Sequence, residues 1–484
     1  MKLMKSLILG SAAGLVAMTG AQAADLPVKA KAVEYVKVCS LYGAGFYYIP
    51  GTDTCIKLGG YLRVDMGINE NGVNTGSTNG QAGARNRMTN GFAWRSREDL
   101  NIDTRTATEY GVVRTYFDAT FTWTSGTNAF AGGASAYTGD AVAGGSLGVY
   151  YAFIQFAGFT MGKAVSQFSA PWVNYPGNTT FDGLVGGGGT VTGVNQFTYT
   201  AEFGNGVSAS IGAQDPTGYY QAGVNNLGGA IGVTGYGASD YAGTDIPDIV
   251  GQIRVDQAWG LFQASFAAHE NNAAYYDATG AAGGGPSNKW GWAGQLALSI
   301  KNIPTGAGDS INVQGVYTDG ATRYNIQDLA SAASSNLMYS GGGVGFGYAP
   351  DSVFIPGGSQ QLIQTWGMRG AFNHNWNANW SSSLFGAYAQ VNYTGAAKAF
   401  ICGAAAFGTL TSCNPDYSIA QVGANLRWTP VKNLTFTAEG LYTMLDQKNA
   451  GTVAAGGANG VAVGMYDVRD QNTWTVMLRA QRNW

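Results

Sequence analysis

Charged side chains in this chain recur at every second position within segments that are otherwise rich in β-branched and aromatic residues. In 55–66, for example, Arg63 and Asp65 alternate with Leu62 and Val64. Successive side chains of a β-strand point to opposite faces, so such a segment has one apolar and one charged face. The bases on charged faces are Arg63, Arg95, Arg97, Arg114, Arg254, Arg369, Arg427 and Arg479, and the acids are Asp65, Asp99, Asp103, Asp118, Asp256 and Glu439. Fixed charges of this kind set ion selectivity where they line a narrow passage.

Catalytic chemistry has little support in the sequence. The chain has two histidines, His269 near the end of a predicted strand and His374 in the short turn HNWNAN. No H-E-x-x-H or C-x-x-C motif occurs. Some membrane barrels are hydrolases with a Ser–His pair, but a lone histidine at a rim is more often a polar turn residue. We therefore expect a protein that is not an enzyme and that uses no cofactor.

Four cysteines form two locally spaced pairs, Cys39 with Cys55 and Cys402 with Cys413. The four cysteines could be connected in three ways, and proximity in the sequence favours the connection of the two local pairs. In an exported protein these would be disulfides. Metal ligation is the alternative, but neither pair has zinc spacing and no histidine is nearby, so we expect no metal site.

The composition indicates a sheet embedded in a membrane. Charged residues make up 11% of the chain, against about 25% in soluble domains. Glycine (74 residues) and aromatic residues (12%) are abundant. Only helices and closed barrels satisfy every backbone group within a bilayer, and no stretch beyond the N-terminus is apolar enough for a spanning helix. The net charge of −3 gives no indication of nucleic-acid binding.

The N-terminus predicts export. Lys2 and Lys5 precede an apolar run and the small-residue pattern Ala21-Gln22-Ala23, which together are typical of a cleaved signal peptide. The apolar run is too short to be a comfortable membrane anchor, the alternative. We divide the chain into a signal peptide (1–23), an N-terminal segment on the periplasmic side (24–54) and a barrel (55–484).

About sixteen strands are predicted from runs of period two bounded by Gly, Asn, Asp and Pro. They are 55–66, 92–103, 110–123, 147–157, 159–168, 196–203, 206–214, 248–257, 260–270, 289–301, 309–319, 361–374, 378–394, 416–429, 433–445 and 472–484. Long and short connections alternate between them. That alternation is typical of a transmembrane antiparallel β-barrel with long external loops and short periplasmic turns.

One long connection is a candidate to narrow the lumen. A barrel of about sixteen strands encloses a wide aqueous channel, and 169–196, after the fifth strand, could fold inward and bring Asp182 into the pore. A solvent-exposed loop acid is the alternative. Within it, GLVGGGGT lacks the Lys-Ser/Thr ending of a phosphate loop, so we interpret it as a flexible loop.

Pairing of the first strand with the last would place six arginines on one arc of the wall. They are Arg427, Arg479, Arg63, Arg95, Arg97 and Arg114. A role in ion selectivity is one interpretation of this arc. The other is that these are ordinary residues of a wet wall, ion-paired with acids such as Asp118.

The last predicted strand closes the barrel. Trp474, Val476, Leu478 and Ala480 share its lipid face, and Trp484 lies where an aromatic girdle is expected. Arg482 lies on the same face of the strand. Because it is so near the end of the strand, its side chain can reach the lipid headgroups.

The N-terminal stretch KVCSLYGAGFYYIPGTDTCIKLGGYLRVD (37–65) resembles the signature of the general porins of alphaproteobacteria, the type found in rhizobia and brucellae. The signal peptide ending in AQAADLP and the aromatic C-terminus are also similar. The resemblance implies a trimer of sixteen-stranded barrels in the outer membrane, with the third external loop folded into each pore. It also implies that Trp484 is part of an assembly signal. Porins of this family often carry several acids on that loop, whereas here we find only Asp182.

These features predict a general diffusion porin in the outer membrane, a water-filled channel for small hydrophilic solutes and ions. The expected partners are outer-membrane lipid and two further copies of the chain. A substrate-selective channel for sugars or another nutrient is the alternative. It would need a ladder of aromatic residues, of which the sequence offers Tyr61 and Tyr116. A loop-mediated adhesin is a third hypothesis.

Overall fold

The computed structural model describes residues 37–69, 81–82, 91–125, 145–172, 175–181, 184–189, 192–228, 241–327, 336–340, 342–455 and 462–484. The predicted signal peptide and Asp182 lie outside these residues. No helix in the described ranges is long and apolar enough to cross a membrane.

Sixteen long antiparallel strands form the main sheet. They are β1 (Cys55–Ile68), β2 (Phe92–Thr108), β3 (Gly111–Ser125), β4 (Ser146–Phe156), β5 (Phe159–Ala164), β6 (Val194–Gly204), β7 (Val207–Gln214), β8 (Asp248–Gln257), β9 (Gly260–Asn271), β10 (Lys289–Lys301), β11 (Ser310–Asp319), β12 (Gln364–Asn375), β13 (Trp380–Asn392), β14 (Tyr417–Val431), β15 (Leu434–Gln447) and β16 (Gln471–Asn483). Each strand pairs with its neighbours in sequence, and β1 pairs with β16 from Tyr61–Asn483 to Ile68–Val476. The sheet is therefore a closed barrel, as predicted.

Short elements lie in the connections and before β1. The short strands are Tyr47–Tyr48, Gln81–Ala82, Val224–Asn226, Asn336–Ser340, Gly343–Gly347, Ser352–Phe354, Gln361–Leu362, Leu410–Ser412, Ala450–Ala455 and Gly464–Val468. The helical elements are one α-helix, α1 (Gly395–Cys402), and 3₁₀ turns at Ser40–Tyr42, Gly280–Ala282, Thr322–Tyr324 and Ala405–Phe407. The long connections thus have secondary structure of their own. The alternation of apolar and polar residues, which predicted the barrel strands, did not predict these elements.

Apolar side chains cover the outer face of the barrel. Leu62, Trp94, Phe266, Leu296 and Leu478 are among the exposed large hydrophobic residues, and each lies on the opposite face from the charged set. Since an apolar exterior of this extent is unfavourable in water, this surface is the part of the barrel that faces hydrocarbon.

Both predicted disulfides are present in the structure, Cys39–Cys55 and Cys402–Cys413. The first joins the N-terminal segment to the start of β1, where Cys39 and Cys55 are buried with Phe46. The second joins the end of α1 to the segment that leads into β14. The first therefore fixes the N-terminal segment to the barrel wall, and the second closes a loop within the connection between β13 and β14.

Observed strand limits differ from the predicted ones where the chain leaves the wall. β5 ends at Ala164 instead of residue 168, because the chain turns inward at Val165. The side-chain amide of Gln196 on β6 donates to the carbonyl groups of Ala164 and Val165, both at 2.9 Å. These bonds replace the strand ladder and fix the point of departure.

Asp309 organises the turn between β10 and β11. It accepts hydrogen bonds from the Thr305 hydroxyl (2.6 Å), the Asn375 backbone N–H (2.9 Å) and the His374 ring (2.6 Å). The Thr305 hydroxyl is the main cause that lowers the pKa of Asp309 to about 2. His374 therefore lies at the rim as a partner of this turn.

We predict that Asp309→Asn lowers the thermal unfolding midpoint of the barrel. Because the native pKa lies below the ordinary value of about 3.9, the stabilisation by Asp309 is fully present above that value. It is lost as the pH falls through the native pKa. Unfolding of wild type and variant, followed by the heat-dependent change in gel migration at several pH values, measures this. The exposed Asp53→Asn is the control, and equal midpoints for both variants would contradict the assignment.

Candidate functional site: the inner loop and the arginine wall

We call residues 165–193, the connection between β5 and β6, the inner loop; its described parts, 165–172, 175–181, 184–189 and 192–193, lie inside the barrel. Polar side chains of the far wall hold its first part. Gln263 on β9 donates to the Ser169 carbonyl (2.9 Å), and Gln295 on β10 donates to the Phe168 carbonyl (2.8 Å). The predicted inward fold of this connection is thus present in the described residues.

The next part of the inner loop runs on along the inner face of β11 and β12. The Trp172 indole donates to Gln314 on β11 (2.6 Å). The Pro176 carbonyl accepts from Asn312 on β11 (2.7 Å) and Asn373 on β12 (3.2 Å). Side-chain amides recur at these contacts because each has both donors and an acceptor. The NH₂ group can donate to a loop carbonyl while the amide oxygen accepts a bond from the wall.

Glu439 on β15 anchors the tip of the inner loop. Its carboxylate accepts the backbone N–H groups of Thr180 (2.8 Å) and Phe181 (3.1 Å), and the side-chain amide of Asn425 (3.0 Å). Glu439 is 2% exposed, so its charge is compensated almost entirely by these donors. Burial of a carboxylate is tolerated only with such bonds.

The glycine-rich stretch of the inner loop is packed against the wall, so our interpretation of it as a flexible loop was wrong. Gly186 has φ +85°, and a Cβ there would lie 2.1 Å from the Met368 carbonyl oxygen on β12. A Cβ on Gly188 would lie 2.4 Å from the Tyr324 carbonyl oxygen. Glycine is required here because the two backbones approach too closely for any side chain.

A second segment, 343–354 in the connection between β11 and β12, also fills the mouth of the barrel. All its residues are buried. Phe346 and Val353 share one apolar cluster with Phe181 and Leu184 of the inner loop and with Leu441 on the wall. This insertion was not predicted from the sequence, although the apolar run SVFIP (352–356) in an otherwise polar connection was a signal for it.

The strand register brings five of the six predicted arginines into two neighbouring rows, whereas Arg114 lies apart, paired with Arg105 near the periplasmic turn between β2 and β3. One row of paired residues crosses five strands, and it contains Arg427, Thr437, Arg479, Asp65 and Arg95 in that order. The next row pairs Arg63 with Arg97. We call β14–β16 and β1–β4, with these side chains, the arginine wall.

The arginines of the arc have unequal surroundings. Arg95 and Arg479 both bind the fully buried Asp65, with Nε–carboxylate distances of 2.8 and 2.6 Å, and Arg95 is only 3% exposed. Arg114 is paired with Asp103 at 3.0 Å. Arg63, by contrast, donates to Gln481 (2.8 Å) and makes no ion pair with a described carboxylate.

The remaining predicted bases lie in three places. Arg427 donates to the Ser381 and Ser383 hydroxyls and stays part of the arc. Arg369 is buried under the inner loop and donates to the Leu184 carbonyl (3.1 Å), so it positions the loop rather than lining open water. Arg254 pairs with Asp256 (2.8 Å) at the periplasmic end of β8, away from the arc.

Acids on the arginine wall form a separate group. The Asn101 amide bridges Asp99 and Asp118, at 3.0 Å from the latter. Both carboxylates are buried, at 2% and 7% exposure. The two acids therefore lie between two groups of bases, with Arg63, Arg95 and Arg97 on one side and Arg105 and Arg114 near the periplasmic turn on the other.

A β-bulge adds aromatic residues to the arginine wall. The register between β3 and β4 shifts at Asp118/Ala119, where Tyr150 is the extra residue on β4. Its hydroxyl accepts a bond of 2.6 Å from Arg97, which places it inward together with Tyr151. Bulges re-aim side chains in this way. Simple alternation could not reveal this.

Aromatic rings contact two half-buried arginines of the wall. The guanidinium carbons of Arg63 and Arg114 lie 4.3 and 5.1 Å from the ring centres of Tyr61 and Tyr116. Phe153 adds a further ring 5.4 Å from that of Tyr116. Cation–π contacts help to hold these guanidinium planes in place.

His269 belongs to a buried network at the external end of the barrel. Its Nδ1 lies 2.7 Å from Asp248, and its Nε2 lies 3.5 Å from Asp351 and 3.2 Å from the Tyr241 hydroxyl. The Tyr324 hydroxyl donates to Asp248. These residues come from four connections or strand ends, so the network joins the external connections to one another.

A closed sixteen-stranded barrel with an apolar exterior, a charged interior and an inserted loop defines a transmembrane barrel of the bacterial outer membrane. Residues 25–477 match the family model described as "Porin subfamily", and the chain belongs to this family. The predicted resemblance to alphaproteobacterial porins is thereby confirmed.

Relatives and a solved structure agree with this assignment. The chain is 35% identical over 258 residues to porin Omp2b of Brucella canis, and 34% identical over the same length to porin Omp2b of Brucella melitensis. Each alignment covers 53% of this chain and 63% of the relative. The outer membrane channel DcaP of Acinetobacter baumannii shares the fold, with a TM-score of 0.57 and 14% identity over 90% of this chain and 99% of that one.

We predict that Glu439→Gln frees the tip of the inner loop. An amide NH₂ would face the N–H donors of Thr180 and Asn425, and hydrogen bonds to a charged group are worth about 1.5–3 kcal/mol. Amide hydrogen exchange in a peptide containing residues 180–181 should therefore accelerate by at least about tenfold. The exposed Glu202→Gln is the matched control. Unchanged exchange in Glu439→Gln would contradict the anchoring role.

Proposed function

We propose that this protein is a general diffusion porin, a channel rather than an enzyme, through which small hydrophilic solutes and ions pass passively. The observation that carries the proposal is a closed barrel that holds both an arginine wall and an inner loop, the loop being bound by β9–β12 and, at its tip, by Glu439 on β15. Family membership supports it. Solutes would pass between the two surfaces without a conformational cycle.

The same geometry gives the channel a charged constriction. Arg63, Arg97 and Arg114 would present guanidinium groups to the lumen, because Arg remains protonated at any working pH. The inner loop would bring Asp182 toward them, a role that stays a prediction. Ions crossing between fixed charges of opposite sign experience a transverse field, which favours small, well-hydrated polar solutes over apolar ones.

Conductance across a planar bilayer tests the proposal directly. Purified, folded protein should produce stepwise openings with a current that rises linearly with salt concentration. Correct folding would be established separately by heat-dependent gel migration. Folded protein that gives no openings would refute the channel proposal.

We predict that Arg63→Ala combined with Arg114→Ala raises the cation-to-anion permeability ratio. In water, a unit charge at roughly 8 Å from a passing ion contributes about 0.5 kcal/mol, which is about a twofold effect for each arginine. The reversal potential in a salt gradient measures this ratio. Lys301→Ala with Lys448→Ala removes two charges elsewhere and is the control. An unchanged reversal potential in the arginine variant would refute the role of the arc.

The second candidate function is a substrate-selective channel, favoured by the aromatic residues of the arginine wall. Tyr61, Tyr116, Tyr150, Tyr151 and Phe153 provide more ring surface than the sequence analysis anticipated. Saturable block of the ion current by an oligosaccharide would support this candidate, and Tyr150→Ala should then weaken the block. A current that falls only in proportion to solution viscosity would leave general diffusion as the function.

We also propose a homotrimer whose contacts lie on the outer wall of β1–β3. Glu98 is paired with Leu62 and Phe121 and therefore shares their outward face. Thr104 and Thr115 bond to each other on the same face. A carboxylate on a hydrocarbon-facing surface is unfavourable, and a neighbouring copy would shield it.

The mass of the detergent-solubilised protein tests the trimer. Wild type should elute as three chains by light scattering, and Glu98→Lys should shift the mass toward one chain. The periplasmic-end Glu202→Lys is the control for a charge reversal. A trimer that persists in Glu98→Lys would exclude this contact surface.

The predicted domain organisation belongs to the same proposal. Residues 1–23 would be removed as a signal peptide, which leaves an N-terminal segment (24–54) and a barrel (55–484). Trp484 would serve as part of the assembly signal. Its backbone N–H donates to the Gly60 carbonyl (3.1 Å), so it lies beside the closing pair of strands.

A further inference from the structure

An apolar groove runs along the outer wall where β14, β15, β16 and β1 meet. Its volume is about 450 Å³. Its floor is formed by Ala438 and Ala480, which are the small residues in two adjacent rows of the outward face. In those rows Ala438 is paired with Leu478, and Ala480 is paired with Phe436.

Rigid aromatic rings form one side of the groove. Trp428 stacks on Phe436 with ring centres 5.6 Å apart, and Trp380 stacks on Trp428 at 5.8 Å. Val64 and Leu478 form the opposite side. A trough lined by aromatic rings and aliphatic side chains favours hydrocarbon over water.

Arg482 lies directly at the periplasmic end of the groove. It follows Ala480 by two residues on β16, about 6.8 Å along the strand, and it points outward with its neighbours Leu62 and Leu434. Its guanidinium donates to the Lys432 carbonyl in the β14–β15 turn. Arg482 makes no ion pair with a described carboxylate, and the exposed Lys432 adds a second cation.

We propose that this groove binds one glycerophospholipid of the periplasmic leaflet, with an acyl chain over Ala438 and Ala480 and the phosphate at Arg482. Charge complementarity selects this occupant. A guanidinium group on the hydrocarbon-facing side of a strand is stabilised by an anion. Arg482 lies at the rim of the barrel, which is the depth of the lipid phosphates. The groove shares β1 and the start of β2 with the proposed trimer contact on β1–β3, so the lipid would lie at the edge of that contact and border a neighbouring chain.

Native mass spectrometry of the delipidated, detergent-solubilised protein tests the site. Titration with dioleoyl phosphatidylglycerol should give saturable binding of one lipid per chain. Arg482→Gln should weaken that binding by about tenfold, the effect of losing one charge-assisted hydrogen bond. Ala438→Phe should abolish it by filling the groove. Dioleoyl phosphatidylcholine, which has no net charge, should bind more weakly to wild type.

Matched controls separate this site from general lipid contact. Lys301→Gln removes another cation at the periplasmic rim, and Ala264→Phe enlarges another outward alanine on β9; both should bind phosphatidylglycerol like wild type. Channel conductance should be the same in all variants, so the test is independent of the proposed function. Binding that does not saturate, or equal binding by Arg482→Gln and wild type, would refute the site.

The other possible occupant is a second copy of the chain. A photoreactive residue introduced at position 438 should label phospholipid in membranes. A cross-link from that position to another chain would overturn the lipid assignment, because the groove would then be part of the subunit contact.

Discussion

Closure of the sheet between β1 and β16 is the constraint on which the rest of the structure depends. A barrel has no free edge, so every strand inside a bilayer satisfies its backbone hydrogen bonds with two neighbours. The pairing of Tyr61–Asn483 through Ile68–Val476 joins residues from opposite ends of the chain. It also fixes which residues of β16 and β1 share a face of the barrel. Arg479 and Arg427 thereby lie in the same row as Asp65 and Arg95.

Because the exterior is largely apolar, most charged residues of the strands lie in the lumen, where they serve two purposes. Some stabilise the structure: Asp65 pairs with both Arg95 and Arg479, and Glu439 holds the inner loop. Others, such as Arg63, make no ion pair with a described carboxylate. The exposed charge of the wall is therefore smaller than a count of inward arginines indicates, and ion preference depends on the few that are not buried.

The inner loop is held by side chains of the wall rather than by contacts within itself. Amides and carboxylates on β9–β12, β14 and β15 bond to its backbone. These bonds are needed because the N–H and C=O groups of the loop are not paired with a neighbouring strand. The glycines remove the steric barrier to this approach. Because the anchors lie on many strands, the loop position is fixed only when the complete barrel has formed.

The sequence alone determined the barrel, because alternation, turn residues and the lengths of the connections are local properties of the chain. It also determined which arginines face inward, and the predicted arc followed from one pairing. Only the tertiary structure decided where the connections go, since the bond from Thr180 to Glu439 joins residues 259 positions apart. The same holds for the bulge at Tyr150, the packed glycines and the buried segment 343–354. Each depends on a surface that exists only after the strands have closed.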